Sequence, residues 1–470
     1  MKEGRKSLFR KINIYHILAL GALLRMVGLI QPGYIRVDGT IYVRIGESFS
    51  KGMFSEALRG AFPPVYPLFI GLFHLLIPDL ELAGNLVSFV FGVSLIYVTF
   101  FFVKRLFGTE NGIVAAFLVA IHPFLVRNSS AVLSESVATF LFAVSIFFFY
   151  RGWVEERTGD VAFSGIFLGL TYLTRPEYVV YAVPVVILLL YKKRLAAAGF
   201  FLLCFLVCVF PYVLYLRVET GQWILTQKAV LVMNRPKAGA YSLYLVPIPP
   251  VMMLLRRIPS AAFHFFEAVF LPFFILVCLG WRRVDIRYRL MITLLTAFHI
   301  VSIASQTAST IRFSVEFVPL VIPFAALGLY GMRESLAGSR GRRVLYYSAI
   351  TVLVGWSLAQ GVSIPDKGRL LHKRAGLDLA TRDPGKRIAS RLPHVPFYGK
   401  GEWVVISPKV QNCSMLQATV REGGAHYLIV DGNLEKAVPQ PDACFEGLQA
   451  AEEYHGGRHV VKVYRLPPNE

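Results

Sequence analysis

Eleven long apolar runs, joined by short polar links, make up most of the chain: residues 12–30, 82–103, 111–127, 133–150, 161–174, 177–191, 195–216, 261–281, 288–306, 313–332 and 343–361. About 20 apolar residues of helix cross a bilayer's hydrocarbon core. The pattern therefore predicts a polytopic α-helical membrane protein with about 11 transmembrane helices. The run Val65–Ile77 is short and flanked by proline, which predicts an interfacial or re-entrant helix instead of a span. After Ile364-Pro365 the pattern changes. Short β-rich runs at Arg387–Leu392, Trp403–Ser407, His426–Asp431 and Val460–Leu466 surround a helical stretch, Ser414–Glu422, that stops at Gly423-Gly424. The expectation is a transmembrane domain over 1–365, whose first outer loop (31–81) carries interfacial helices, and a small C-terminal α/β domain over 366–470. There is no sequence repeat and no low-complexity segment.

Composition agrees with this division: the 470 residues are 55% hydrophobic and 17% charged, against roughly a quarter charged in soluble chains. The net charge of +20 could suggest nucleic acid, but many of the cations cluster at the ends of apolar runs and no nucleic-acid-reading motif is present. Lys2/Arg5/Lys6/Arg10/Lys11, Lys104-Arg105, Arg151/Arg157, Lys192-Lys193-Arg194, Arg282/Arg283/Arg287/Arg289 and Arg333/Arg340/Arg342/Arg343 all fall on one side of the predicted spans. The positive-inside rule makes that side cytoplasmic. The N-terminus is then cytoplasmic, and the C-terminal domain is extracytoplasmic. The basic N-terminus with its apolar run lacks a small-residue cleavage site, so it reads as an uncleaved first helix. Of five cysteines, three lie in apolar runs; Cys413 and Cys444 lie in the C-terminal region, where an oxidising face would permit a disulfide that the sequence leaves open.

The outer face then carries Asp38, Glu135, Arg175, the 217–260 loop and Arg312. Asp38 can open a helix over 40–51 as an N-cap, or it can act as a base; the two readings are compatible. Glu135 stands where the fourth span begins, a position favoured by the helix dipole. Together the two carboxylates would suit general-base work or a divalent cation, although no metal ligand set can be assigned. Arg175, in Thr174-Arg175-Pro176-Glu177, and Arg312 can snorkel to headgroups, pair with a carboxylate or hold a phosphate. The 217–260 loop, with Trp223, Lys228 and Pro247–Pro250, is long enough to close over a substrate. No P-loop, dinucleotide fingerprint, zinc helix or nucleophile elbow occurs. His74, His122, His264 and His299 read as packed or interfacial residues.

The order of motifs resembles the bacterial members of the GT-C glycosyltransferase superfamily, in the protein-mannosyltransferase and aminoarabinose-transferase group. The matching pieces are Asp38-Gly-Thr-Ile-Tyr42, Phe62-Pro63-Pro64-Val65-Tyr66-Pro67, Leu133-Ser134-Glu135, Leu173-Thr174-Arg175-Pro176-Glu177, and Ile311-Arg312-Phe313 followed by Pro319. The tail, with His426–Val430 and Val463–Leu466, looks like the family's extracytoplasmic domain, although it has no Trp-Trp-Asp motif of the asparagine-linked oligosaccharyltransferases.

The resemblance implies transfer of a sugar from a polyprenyl-phosphate donor to a lipid, glycan or protein acceptor on the outer face of a bacterial plasma membrane. By it, Asp38 would be the base, Glu135 a second acidic group, and Arg175 and Arg312 the donor-phosphate ligands. Tyr42, Tyr66 and Glu177, from the matching motifs, would line the substrate cavity. A single displacement with a base and no nucleophile would invert the anomeric carbon. A transporter or flippase of lipid-linked sugars would share the spans, the outer-face charges and the phosphate-handling arginines. Transporters commonly carry internal repeats; none is found here, and the acidic candidates lie at the outer boundary.

Overall fold

The computed structural model describes residues 12–30, 33–227, 251–305, 310–336, 339–361, 366–445, 448 and 450–467. It divides into two compact units, one of residues 1–30 and 42–362, the other of residues 31–41 and 363–470. The boundary falls inside one helix, Val37–Ser50. The segment just after the first apolar run thus groups with the C-terminal domain, where the sequence placed it in the first outer loop of the membrane domain.

The first unit is a helical bundle, and the chain is an integral membrane protein. A helix stands at each predicted run, but among the described residues six are long and apolar enough to cross a membrane: Leu80–Phe107, Glu135–Val154, Leu195–Thr220, Ile286–Ser305, Ile311–Leu336 and Arg340–Gly361. Ile14–Ile30, Thr109–Ile121 and Pro176–Tyr191 are apolar but shorter. By length and composition the candidate spans among the described residues number six, or seven with one bent pair, so the expected count of eleven is not confirmed. Val65–His74, at 10 residues, reaches about 15 Å, half the hydrocarbon thickness.

Local chemistry sets the ends of these helices. Asp79 accepts a hydrogen bond from the Leu82 backbone N–H at 2.6 Å and opens Leu80–Phe107, which stops at Gly108 with φ +86°. Two predicted spans are broken by proline. The run 111–127 ends at Ile121 because Pro123 follows His122 and starts a separate short helix, Pro123–Asn128. The run 261–281 bends by 92° at Phe270. Pro272 has no N–H to give the carbonyl four residues back, and Phe270 takes the left-handed φ of +67°.

Val318–Leu336 is buried at nearly every position from Val318 to Leu329 and forms the middle of the bundle. Leu271–Gly280 packs against it through Gly280 and Gly328; a Cβ on either would run into the other helix's backbone. Small residues give such close approach in lipid, where packing replaces the hydrophobic drive. By contrast, Leu195–Thr220 leaves Leu203, Leu206, Val207 and Phe210 exposed, as a lipid-facing helix does. Inside the bundle the wholly buried Arg25 donates to the carbonyls of Gly21 at 3.0 Å and Ala120 at 3.2 Å. A cation at that depth needs such partners, and its role was not evident from the sequence.

The second unit is a five-stranded sheet ordered β2-β1-β3-β5-β4, with β1 Arg387–Ser390, β2 Glu402–Val405, β3 Tyr427–Asp431, β4 Ala450–Gly456 and β5 His459–Arg465. β1 pairs parallel with β2 and β3; β5 pairs antiparallel with β3 and β4. Alternation along β3 sends Leu428 and Val430 to one core, with Leu416 and Val420 of helix Cys413–Glu422. Tyr427 and Ile429 go to the other, with Leu371, Ala375 and Leu379 of helix Lys367–Arg382. Four strands and helix Cys413–Glu422 stand close to their predicted places. The sequence reading missed Lys367–Arg382 and β4; β4 is a charged edge strand, AAEEYHG, without apolar alternation. Residues 33–35 pack on this unit: Lys373 Nζ donates to the Gly33 carbonyl at 2.9 Å, the Ile35 N–H donates to the Tyr398 hydroxyl at 2.7 Å, and Arg369 lies over the Tyr34 ring.

Cys413 and Cys444 form a disulfide, with Cα atoms 5.1 Å apart across 31 residues of sequence. Loop-closure entropy for that separation amounts to about 3–4 kcal/mol. The double substitution Cys413→Ser/Cys444→Ser is expected to lower the C-terminal domain's unfolding free energy by about that much, read as faster amide exchange in β3 and β5 with the transmembrane helices unchanged.

A histidine makes the same domain sensitive to acid. His394 is wholly buried and neither ring nitrogen has a hydrogen-bond partner among the described residues. Burial, reinforced by His372 and Arg369 nearby, lowers its pKa from 6.5 to about 3. Only the neutral ring suits the fold, whereas the unfolded chain binds a proton below about 6.5. The domain therefore keeps full stability above that pH and loses it as pH falls, by about 3 kcal/mol at pH 4. His394→Leu is expected to flatten the pH dependence of domain unfolding between pH 6.5 and 4; an unchanged slope would assign it to another group.

Candidate active site

Three of the motifs separated in sequence converge on Glu135. This residue is the first of helix Glu135–Val154 and is 1% exposed. Arg175 Nη1 lies 3.0 Å from Glu135 Oε1, and Arg312 Nε contacts the same oxygen. Arg175 also reaches Glu177 Oε1, with Nη2 at 2.5 Å and Nε at 2.7 Å, and its guanidinium lies over the Phe313 ring. The second oxygen, Glu135 Oε2, is buried with no hydrogen-bond partner among the described residues. The position of Arg175 follows from a chain reversal: helix Thr158–Tyr172 ends, Arg175 turns extended (φ −149°), and Pro176 starts a 3₁₀ turn. Of the readings left open for the two arginines, carboxylate pairing is what is found. Their side chains differ in access: Arg312 is 28% exposed, Arg175 only 6%.

Tyr42 and Tyr66 belong to the same packing but are closed in. The Tyr42 hydroxyl lies 3.0 Å from Ser134 Oγ, and its ring packs on Phe62 and edge-on to Tyr66. The Tyr66 hydroxyl lies 3.0 Å from Ser88 Oγ, which donates to the Leu133 carbonyl at 3.2 Å. The Val65 N–H donates to the Leu173 carbonyl at 3.0 Å, tying Phe62–Pro67 to the Arg175 turn. With 4% and 0% exposure, the two tyrosines hold the motifs together and present almost no surface of their own.

Asp38 lies in the second unit, in the first turn of Val37–Ser50. The helix starts at Val37, ahead of the predicted 40–51, so Asp38 is inside the first turn and not the N-cap; the Thr40 N–H bonds to the Arg36 carbonyl at 3.1 Å and Thr40 Oγ1 to the Val37 carbonyl at 2.8 Å. A carboxylate there still gains from the helix dipole. The sequence reading missed Glu316. It is 2% exposed, within electrostatic reach of Arg175, and follows Arg312 by four residues. A second acidic residue so close to a predicted phosphate arginine was the available signal.

No group of three or more His, Cys, Asp or Glu among the described residues is arranged to hold a metal ion. His122 and His299 are buried and packed: His122 Nε2 lies 3.3 Å from the Val269 carbonyl, His299 Nε2 3.0 Å from Ser314 Oγ. Lys228 and Pro247–Pro250, on which the expected closing loop depends, lie outside the described residues.

Residues 61–215 match the model of the Dolichyl-phosphate-mannose-protein mannosyltransferase family. No match is found among curated protein sequences. Among solved structures, the chain is similar to ArnT from Cupriavidus metallidurans bound to undecaprenyl phosphate, with 14% identity over 96% of this chain and 97% of that one and a TM-score of 0.64. It is similar to the apo oligosaccharyltransferase of Archaeoglobus fulgidus at 13% identity, covering 96% and 74%, with a TM-score of 0.60. The mycobacterial arabinofuranosyltransferase AftD is similar at 16% identity, covering 97% of this chain but 42% of its own, with a TM-score of 0.53. Identities this low establish the fold alone. The chain thus shares its fold with these membrane glycosyltransferases, and residues 61–215 match a mannosyltransferase family model.

Proposed function

We propose that the chain transfers a sugar from a polyprenyl-phosphate donor to a lipid, glycan or protein acceptor on the extracytoplasmic face of a bacterial plasma membrane, with its N-terminus cytoplasmic. The observation that carries this is the buried Glu135 carboxylate held between Arg175 and Arg312, at the start of a transmembrane helix. A related fold has been solved with undecaprenyl phosphate bound, which supports a lipid phosphate as the anionic partner of such a cluster.

In this reading the acceptor oxygen attacks the anomeric carbon as the bond from that carbon to the phosphate oxygen breaks. The lipid phosphate leaves with the electron pair, and the acceptor proton passes to Asp38. The configuration inverts. Asp38 takes this role from its motif. Arg312, the more accessible of the two arginines, meets the charge growing on the leaving phosphate; Arg175, enclosed, braces Glu135 and supplies a second fixed cation. Preorganised cations in a water-poor site stabilise a developing anion more than water does. Glu135 Oε2, which has no hydrogen-bond partner among the described residues, would accept from a hydroxyl of the donor or acceptor.

The test is transfer of radiolabelled sugar from lipid-extract donors by the purified wild-type protein. Labelled product with inverted anomeric configuration is expected. Translocation of a lipid-linked sugar across vesicles without any transfer would replace the transferase with a flippase.

A further inference from the structure

In open sheets with parallel strands, ligands bind beyond the strands' carboxyl ends, where the connections diverge to opposite sides. The C-terminal domain has such a place. The chain leaves β1 to form β2 on one side and then crosses to form β3 on the other, so the crevice lies at the carboxyl ends of β1 and β3. A cavity of about 620 Å³ opens there, within the range of small-molecule sites. Arg391 and Leu392 follow β1 into it; Asp431 ends β3 there, with Gly432, Asn433, Glu435 and Lys436 after it; Arg458 to Val461 enter from the start of β5. The N-terminal turn of helix Lys367–Arg382 closes the remaining side with Asp366 and Arg369.

The lining has a definite chemistry. Four fixed cations, Arg369, Arg391, Lys436 and Arg458, stand with His372 and His459 against three carboxylates. Two of those carboxylates are already engaged. Asp366 accepts from the Arg369 N–H at 3.0 Å; Asp431 accepts from the Asn433 and Leu434 N–H groups and lies 3.2 Å from His372 Nε2. Lys436 and Arg458 form no ion pair among the described residues and are exposed. His372, only 4% exposed, has an Nδ1 without a hydrogen-bond partner among the described residues, and so has Arg391 Nε. The excess of uncommitted positive charge suits one phosphate. The remaining carboxylate, Glu435, with Asn433 beside it, would repel a polyanion but can bond hydroxyl groups.

We propose that this cavity is a second ligand site of the chain, at the switch point of the C-terminal sheet, and that it takes a phosphorylated sugar. The inference is independent of the transferase reading, because its readout is local to residues 366–461. The probe is a hexose 1-phosphate, titrated into the full-length protein in detergent and followed by amide exchange. Slowed exchange in 366–372, 431–436 and 458–461 is expected. Lys436→Gln and Arg458→Gln, both at exposed positions, should each raise the half-saturating concentration about tenfold or more, the scale of one contact to a charged group, and together erase the protection. Weaker protection by inorganic phosphate would support the site. Absence of local protection, protection unaltered in the double variant, or equal protection by inorganic phosphate or by the neutral hexose would overturn it.

Discussion

Replacing Asp38 by Asn is expected to reduce sugar transfer by about 10²–10⁴-fold, the range a positioned general base contributes, while the protein still folds and still binds donor lipid. Asn keeps the shape of the side chain and one acceptor oxygen but cannot take up the acceptor's proton. Asp38 occupies the first turn of Val37–Ser50. Losing a charge there forfeits roughly 0.3–1 kcal/mol of helix-dipole energy. Kinetics should therefore fall far more than stability. Initial rates with radiolabelled donor, alongside thermal unfolding of both proteins, separate the two. Equal transfer by both would reduce Asp38 to a dipole anion and leave Glu135 as the carboxylate to test.

Glu135→Ala is expected to act in the opposite way, on the fold first. Its carboxylate is 1% exposed and meets two guanidinium groups. Removing one partner of a buried ionic cluster strands the others and costs about 3–5 kcal/mol. Arg175, 6% exposed, would retain Glu177 as its salt-bridge partner in this cluster; Arg312, 28% exposed, can turn toward water. The asymmetry makes a second expectation: Arg175→Ala should destabilise the bundle more than Arg312→Ala, whereas Arg312→Ala should weaken donor binding with the smaller loss of thermal stability. Unfolding in detergent with and without polyprenyl phosphate reads both. A change below about 1 kcal/mol for Glu135→Ala would mean that water already reaches the cluster and solvates the arginines.

Much of this protein was legible in the order of its residues. Apolar length predicted a helix at every run, because a bilayer imposes helical hydrogen bonding on any segment that enters it. Short β-rich runs located four of the five strands. The motifs around Glu135, Arg175 and Arg312 pointed to one site, since charged residues beside a bilayer need partners. What depends on pairs distant in sequence was not legible. Proline chemistry at Pro272 is local, but the 92° bend it accompanies shows only in the packed bundle. One carbonyl partner of Arg25, that of Ala120, lies 95 residues away in the sequence; Glu316 and Arg175 lie on separate segments. The grouping of residues 31–41 with the C-terminal domain, the Cys413–Cys444 bond and the cavity beyond β1 and β3 likewise arise from tertiary contacts. Periodicity and hydropathy are properties of neighbouring residues, and they determined where helices and strands form. Which carboxylate meets which arginine, and where strand ends leave a cavity, was decided only when those elements packed, because burial energy depends on the partner and not on the residue alone.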